Sequence, residues 1–301
     1  MVEPLQSQLQ IKAPPLVTVA MPVYNAGMYL RLAVLSIVRQ TFTDWELLII
    51  DDGSTDNALQ TIAGINDARI RILTDGKNKG LAARLNECID LARGRYLARM
   101  DQDDVSYPAR FARQIEALEN DSKLDLVAAR AITINENNSA ARLFPYALHH
   151  DEICARPWIG FHFPHPVWLG RIEWFRKYRY AVPGPYFCED QELLLRSYRA
   201  SRFATVDEVL FAYRVRGKIN QGKLAKTRQT VLSIQLRHFS SRNQWHFVLL
   251  AVMAFVAKSG SDLLRRMGRG ASQPRCGMVD DAVALQWNEI LQVLTAASKE
   301  S

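Results

Sequence analysis

Between residue 16 and about residue 104, short apolar, β-rich runs alternate with longer segments whose apolar positions fall three and four apart. This alternation predicts βα units and a parallel sheet. Strands are expected over 16–20, 45–50, 69–73 and 95–99, and helices over 29–40, 56–65 and 81–93, with Gly94 standing where a C-cap glycine belongs. A helix opened by Pro108 (108–118) and a β-branched strand (124–134) continue the pattern. The segment 144–186, broken by Pro157, Pro164, Pro166, Pro183 and Pro185 and rich in Trp, Tyr and His, reads as a loop-built binding surface. A helix (189–201) and two short strands (202–206, 209–215) follow. The expected fold class is α/β, doubly wound in its first half, without internal repeats.

The 301 residues, 48% hydrophobic and 23% charged, suffice for a sizeable core, which excludes disorder, collagen-like repeats and a disulfide-stapled miniprotein. Cys88, Cys154, Cys188 and Cys276 lie far apart with no Cys-x-x-Cys pair, as in reduced thiols of a cytosolic protein. Residues 1–15 lack the basic and apolar regions of a signal peptide and are expected to form a tail.

Charge changes the picture at the C-terminal end. The chain is +7 overall, but the window 216–275 holds 12 basic residues and one acid, Asp262, leaving the remainder mildly acidic. An anionic partner for that window is implied. Its apolar run, 245–257 (WHFVLLAVMAFVA), is shorter than the roughly 20 residues needed to span a bilayer. Flanked by Arg237, Arg242, Lys258, Arg265 and Arg266, it is either an interfacial helix on an anionic membrane or a buried core helix with solvated basic ends. No nucleic-acid motif accompanies it, and no nucleic-acid partner is expected.

Two acidic clusters carry the chemistry. Asp51-Asp52-Gly53-Ser54 follows one predicted strand, and Asp101-Gln102-Asp103-Asp104 follows another, at the C-terminal strand ends where open α/β sheets bind ligands. An Asp-x-Asp pair can grip Mg²⁺ or Mn²⁺, which neutralises a diphosphate; in isolation it is more often a solvated acidic turn.

The ordered motifs Pro22-Val23-Tyr24-Asn25, Asp51-Asp52-Gly53-Ser54-Thr55-Asp56, Asn78-Lys79-Gly80-Leu81-Ala82 and Gly94-Arg95-Tyr96 leading into Asp101-Gln102-Asp103-Asp104 resemble those of the family 2 glycosyltransferases of bacterial polysaccharide and O-antigen type. The likeness continues less tightly through His165-Pro166 and Cys188-Glu189-Asp190 to Tyr213-Arg214, about two thirds of the chain. It implies a GT-A domain over 16–215, with a nucleotide-binding half (16–104) and an acceptor half (105–215). A basic, mainly helical C-terminal region (216–301) follows.

The resemblance also implies inverting transfer from a UDP- or dTDP-sugar. Pro22, Val23, Tyr24, Asn25 and Gly80 would shape the nucleoside site, and Asp52 would accept the base imide N–H. Asp101, Gln102 and Asp103 would hold the ribose and diphosphate, with Asp101 and Asp103 ligating Mn²⁺ or Mg²⁺. Asp104 would assist or cap the helix near Pro108. Asp190, paired with Glu189, would be the general base; the plainer reading is two acids favouring a helix N-terminus.

Other residues keep two readings. His165 is an acceptor contact or a structural histidine. Arg196 and Arg199 pair with phosphate or lie along the surface, and Trp158, Phe161, Trp168 and Trp174 stack on sugars or build core. Arg216 stands where relatives often carry a histidine; it cannot ligate a metal but can neutralise phosphate, which loosens the expected metal requirement.

The function expected from these features is addition of a sugar to a hydroxyl of a growing, lipid-linked, cell-surface glycan by an enzyme peripheral to the cytoplasmic face of the membrane. The alternative is a catalytically silent GT-A domain acting as a membrane-bound interaction module. Nucleotidyl transfer is disfavoured, because 21–27 (MPVYNAG) lacks the basic phosphate loop that such chemistry needs.

Overall fold

The computed structural model describes residues 13–185, 187–217, 221–266 and 279–300. Most of the expected tail, Cys276, Arg269, Arg275 and the side chains of Arg265 and Arg266 lie outside the described residues.

Strands β1 (Val17–Val23), β2 (Trp45–Asp51), β3 (Ile70–Thr74) and β4 (Tyr96–Arg99) lie parallel in the order β3-β2-β1-β4. They are joined by α1 (Tyr29–Val38), a 3₁₀ turn (Ala58–Ile62) and α2 (Leu81–Leu91). Because β1, β2 and β4 are buried at every position, their sequences read as near-continuous apolar runs. The helix expected over 56–65 is only the 3₁₀ turn. Asp56 Oδ1 takes the N–H of Ala58, and only Ala58 and Ile62 are buried, too little apolar surface to anchor a longer helix. Gly94 is not a helix cap: α2 ends at Ala92 in extended backbone. A Cβ at Gly94 would lie 2.5 Å from the backbone nitrogen of Thr18, so glycine is needed where the chain crosses β1.

The second half adds β5 (Val105–Ser106), α3 (Arg110–Asn120), β6 (Leu126–Ile134), β7 (Ala140–Leu143), α4 (His150–Ile153), β8 (Leu169–Arg171), α5 (Ile172–Lys177), α6 (Glu189–Ser197) and β9 (Phe203–Arg214). Here the sheet is mixed. β8 runs antiparallel to β4 and β6, β9 parallel to β6, and β5 antiparallel to β9, giving the order β3-β2-β1-β4-β8-β6-β9-β5 with β7 beside β6. The two short strands expected at 202–206 and 209–215 are one strand with a bulge: Ala129 faces Val206 and Arg130 faces Val209, leaving Asp207 and Glu208 extra. The expected helix at 189–201 closes as a 3₁₀ turn from Tyr198.

Segment 144–186 carries short elements as well as loop, and its aromatics divide. Trp168 and Trp174 are core, Trp158 stacks on Phe247, and Phe161 reaches the cleft described below.

Two apolar layers flank the sheet. One packs α1 and α3 on Val19, Leu47 and Val127; the other packs α2, α5 and α6 on Leu48, Leu97 and Leu126. Helices α7 (Gln221–Ser240) and α8 (Trp245–Arg266) form a hairpin against α6, anchored by the fully buried Phe239. Helix α9 (Asp281–Glu300) folds back onto α1, where the buried Trp287 stacks on Tyr107 and donates Nε1–H to Asn138 O at 2.7 Å.

The run 245–257 is neither wholly buried nor wholly exposed. Ala251 is buried, whereas Trp245, Leu249, Met253 and Val256 are each about 60% exposed along one side of α8. Among the described residues, no helix is long and apolar enough to cross a membrane.

Candidate active site

The C-terminal ends of β1, β2 and β4 open into a cleft of about 970 Å³, closed on the far side by the 161–166 segment and the start of α6. Pro22, Val23, Tyr24, Asp52, Gly80, Asp101, Gln102, Asp103, His165, Glu189 and Asp190 all line it. Residues more than 160 positions apart thus share one cavity. Of the expected site residues, Asn25 and Arg216 are not in its wall.

Asn25 ties a loop. At φ 50° its Oδ1 accepts the backbone N–H of Thr55 at 2.8 Å and of Asp56 at 3.3 Å, fastening the turn after β1 to the turn after β2. Tyr24, half exposed at the rim, is held from behind by Gln102: Oε1 accepts the Tyr24 N–H at 2.6 Å and Nε2 donates to Tyr24 O at 2.9 Å. Gln102 therefore fixes the position of Tyr24 at the rim through the Tyr24 backbone.

Asp52 is buried under the loop that opens α2. Its Oδ1 accepts from Lys79 N (2.6 Å), Gly80 N (3.2 Å) and Arg84 Nε (2.9 Å), and Oδ2 accepts from Gly80 N at 3.0 Å. Gly80 reaches this position with φ 84°, a conformation that favours glycine. Among the described residues Oδ2 accepts this one hydrogen bond, from Gly80 N, which leaves it capacity for another donor. Arg84, itself buried, also pairs with Asp75 (2.6 Å) and Glu87 (2.7 Å) and donates to Lys77 O, so one guanidinium holds the whole 75–80 loop.

The Asp-x-Asp pair is bracketed by arginines. Asp101 Oδ1 pairs with Arg99 Nη2 at 2.6 Å, and Asp103 Oδ2 with Arg216 Nε at 2.6 Å. Burial and the charge of Asp101 push the Asp103 carboxyl above its ordinary value, against the pull of Arg216. Among the described residues, the second oxygen of each carboxylate has no further ion-pair partner. Among the described residues no three His, Cys, Asp or Glu side chains are grouped to hold an ion alone. Two carboxylates at this spacing suit a hard divalent ion such as Mg²⁺ or Mn²⁺ only with further oxygen ligands from outside the chain.

Asp104 does not cap α3, whose N-cap is Ala109. It is fully buried, and its Oδ1 accepts the N–H of Arg214 at 2.7 Å, tying the Asp-x-Asp loop to the end of β9. Arg214 Nε adds a bond to Asp103 O at 2.7 Å.

At the opposite wall, Glu189 and Asp190 form the first turn of α6. Burial first, and then the charge of Asp190, raise the Glu189 carboxyl to about 7. Burial also raises Asp190, whose Oδ2 accepts from Gln191 Nε2 at 3.2 Å. His165 is buried: its Nε2 lies 2.7 Å from the Tyr180 hydroxyl and its Nδ1 3.8 Å from Glu189 Oε1. Burial, reinforced by Arg99, keeps its ring neutral. Arg196 is bound to Glu192 (2.5 Å) and Arg179 O, and Arg199 to the Tyr198 hydroxyl, both outside the cleft wall.

Sequence reasoning missed Arg99, Arg84 and Tyr180. Arg99 is 3% exposed and lines the cleft, and its Nε and Nη1 have no hydrogen-bond partner among the described residues. A buried cationic donor left unmatched is costly, which makes Arg99 a donor suited to an anionic ligand or ordered water. The available signal was an arginine inside an otherwise apolar strand.

The profile of glycosyl transferase family 2 matches residues 18–179, just over half of the chain. EpsE of Bacillus subtilis is 38% identical over 136 residues, 44% of this chain and 49% of that protein. The UDP-Glc:alpha-D-GlcNAc-diphosphoundecaprenol beta-1,3-glucosyltransferase WfgD of Escherichia coli is 36% identical over 103 residues, 34% of this chain and 41% of that protein. The chain thus spans about half the length of such relatives, or less.

Among solved structures, S. aureus TarS in complex with UDP-GlcNAc superposes with a TM-score of 0.58 at 15% identity, over 92% of this chain and 80% of that one. The mannosyltransferase PcManGT from Pyrobaculum calidifontis, in complex with GDP-Man and Mn²⁺, gives 0.59 at 15% identity, over 94% and 88%. At that identity the likeness speaks for the fold, an α/β GT-A sheet with flanking helices and a helical C-terminal extension. With the motif-bearing strand ends gathered round one cleft and the family profile matched across them, the chain belongs to glycosyl transferase family 2.

Proposed function

We propose that this chain is an inverting glycosyltransferase that moves a sugar from a UDP- or dTDP-sugar to a hydroxyl of a growing, lipid-linked, cell-surface glycan. The observation that carries this reading is the sharing of one cleft by Asp52 with Tyr24, Asp101 with Asp103, and Glu189 with Asp190. In this reading the base lies against Tyr24 with its imide N–H toward Asp52, and the diphosphate lies along Asp101 and Asp103. Mg²⁺ or Mn²⁺, when bound there, neutralises the diphosphate.

Asp190 accepts the proton of the acceptor hydroxyl as that oxygen bonds to the anomeric carbon from the face opposite the departing phosphate oxygen. The nucleoside diphosphate leaves with the electron pair of the broken bond. Arg99 and Arg216 sit beside the two aspartates, where they offset negative charge on the leaving group. A nucleotide-sugar donor is supported by the UDP-GlcNAc and GDP-Man named with the TarS and PcManGT structures, a uridine donor by the first of them alone, and the acceptor class by the diphosphoundecaprenol in the name of WfgD.

A peripheral seat on the cytoplasmic leaflet is supported by α8. Its exposed Trp245, Leu249, Met253 and Val256 form an apolar stripe near the exposed Arg237 and Arg242.

The test is nucleoside diphosphate release from a panel of UDP- and dTDP-sugars with membrane lipid extract as acceptor source. Asp190→Asn is expected to lower kcat by about 10²–10⁴-fold while leaving nucleotide affinity unchanged. Wild-type turnover in that variant would remove Asp190 from the reaction.

A further inference from the structure

A second pocket, of about 350 Å³, lies between α7, α8 and the loop at 158–162. Its walls are chiefly Trp158, Val231, Leu232, Ala251, Ala254 and Phe255, with Arg228 and Lys258 among them. We propose that this pocket seats the phosphate-bearing end of the lipid-linked acceptor, hydrocarbon against α7 and α8 and phosphate at Lys258 and Arg228. The inference rests on the glycosyltransferase reading above and deepens it.

Three observations point to this occupant. The pocket adjoins the catalytic cleft, with Phe161, His162 and Gln191 lining both. Gln191 joins the two chemically, since its Nε2 donates to Asp190 Oδ2 while its Oε1 accepts the N–H of Phe161 at 3.0 Å. Gly160 permits that approach; a Cβ there would lie 2.9 Å from Gln191 Oε1, and its φ is 121°. A molecule in the pocket therefore lies against Gln191, the residue bonded to the proposed base.

The wall chemistry is amphiphilic in the required sense. Apolar side chains make most of the surface, and the cations are only partly matched. Arg228 pairs with Asp262 at 2.8 Å, and Lys258 Nζ donates to a neutral carbonyl, Ile159 O, at 2.9 Å. Among the described residues, these two cations have one carboxylate partner between them, Asp262 on Arg228, which leaves net positive charge for a phosphate.

The third observation is the two-sidedness of α8. At 3.6 residues per turn, Ala251, Ala254, Phe255 and Lys258 face the pocket, and the exposed Trp245, Leu249, Met253 and Val256 lie on roughly the opposite side. A bilayer touching the outer stripe would then lie about one helix diameter, roughly 10 Å, from the pocket. A lipid rooted in that bilayer can present its phosphate to Lys258 and its sugar to Asp190.

The experiment is calorimetric titration of the full chain with farnesyl diphosphate, below its aggregation concentration, after the donor cleft has been filled with UDP and Mn²⁺. Farnesyl diphosphate is expected to bind at least tenfold more tightly than inorganic diphosphate. Lys258→Gln should weaken it about tenfold, and Ala254→Trp, which fills the pocket, should abolish it. Thr227→Trp on the facing helix is the second filling variant, and retained UDP binding reports that each variant is folded.

The proposal is overturned if wild type does not bind farnesyl diphosphate, if inorganic diphosphate binds as well, or if both filling variants, folded, bind like wild type. Failure of UDP to bind wild type would instead strike the donor reading, and farnesyl diphosphate is then titrated alone.

Discussion

Arg216 Nε donates to Asp103 Oδ2 at 2.6 Å, so the arginine standing where a histidine was anticipated reaches the second carboxylate of the Asp-x-Asp pair. A guanidinium there holds Asp103 in place and brings a fixed positive charge to the edge of the cleft.

Arg216→Ala is accordingly expected to raise the donor KM about tenfold, the size of one charge-assisted contact, and to make turnover more dependent on Mn²⁺ concentration. Steady-state kinetics across a Mn²⁺ series check this. An unchanged KM at every metal concentration would separate Arg216 from the donor site.

The Glu189–Asp190 pair predicts a pH signature. Glu189 titrates at about 7 in the folded chain, against an ordinary value of 4.5. Between those values the folded chain keeps a proton that the unfolded chain has released. The stabilising contribution is therefore complete below about 4.5 and is lost as pH rises through about 7. Tm of the ligand-free protein should fall between pH 5 and 8, and Glu189→Gln should flatten that slope, raising Tm at pH 8 by about 2–4 °C. Parallel slopes for the two proteins would contradict the raised carboxyl.

Arg84 holds Asp52 and the 75–80 loop from behind and does not line the cleft. Arg84→Met leaves Asp52 buried without its guanidinium and releases Asp75 and Glu87, at an expected cost of about 3–5 kcal/mol. Arg84→Lys should recover little, because an ammonium cannot match that spread of acceptors. Urea denaturation midpoints measure both, and near-wild-type stability of the Arg84→Met variant would show the network to be dispensable.

Periodicity placed β1, β2 and β4 within three residues because all three are buried at every position and read as near-continuous apolar runs, and the carboxylates after them followed from where such strands end. Asp52, Asp101, Asp103 and Asp190 meet in one cleft as their motifs implied. Other features depend on contacts between distant residues. Arg99 reads locally as one charge in a strand; only the fold sets it by Asp101, near His165 and Glu189 from more than 60 residues onward. Gly94 looked like a cap because it follows a helix, but what requires glycine is the backbone of Thr18, 76 residues earlier. Trp287 shows no sign in its own helix of the partner, Tyr107, that buries it.

The outer stripe of α8 predicts membrane binding. Leu249→Glu with Met253→Glu should abolish co-sedimentation with vesicles containing anionic phospholipid while leaving UDP binding intact, since neither residue lines the cleft. Binding of wild type to neutral and anionic vesicles alike would remove the electrostatic part of this reading, and no wild-type binding would remove all of it.

Thermal unfolding with UDP, dTDP, GDP and ADP, each with and without Mn²⁺, asks whether the cleft holds a nucleoside diphosphate beside Asp101 and Asp103. A ligand at about 100 times its Kd adds roughly 2.7 kcal/mol, a shift readily resolved. UDP or dTDP should raise Tm, more so with Mn²⁺, and Asp101→Asn with Asp103→Asn should erase the metal-dependent part. An unfolding temperature indifferent to all four nucleotides, with metal or without, would contradict such binding.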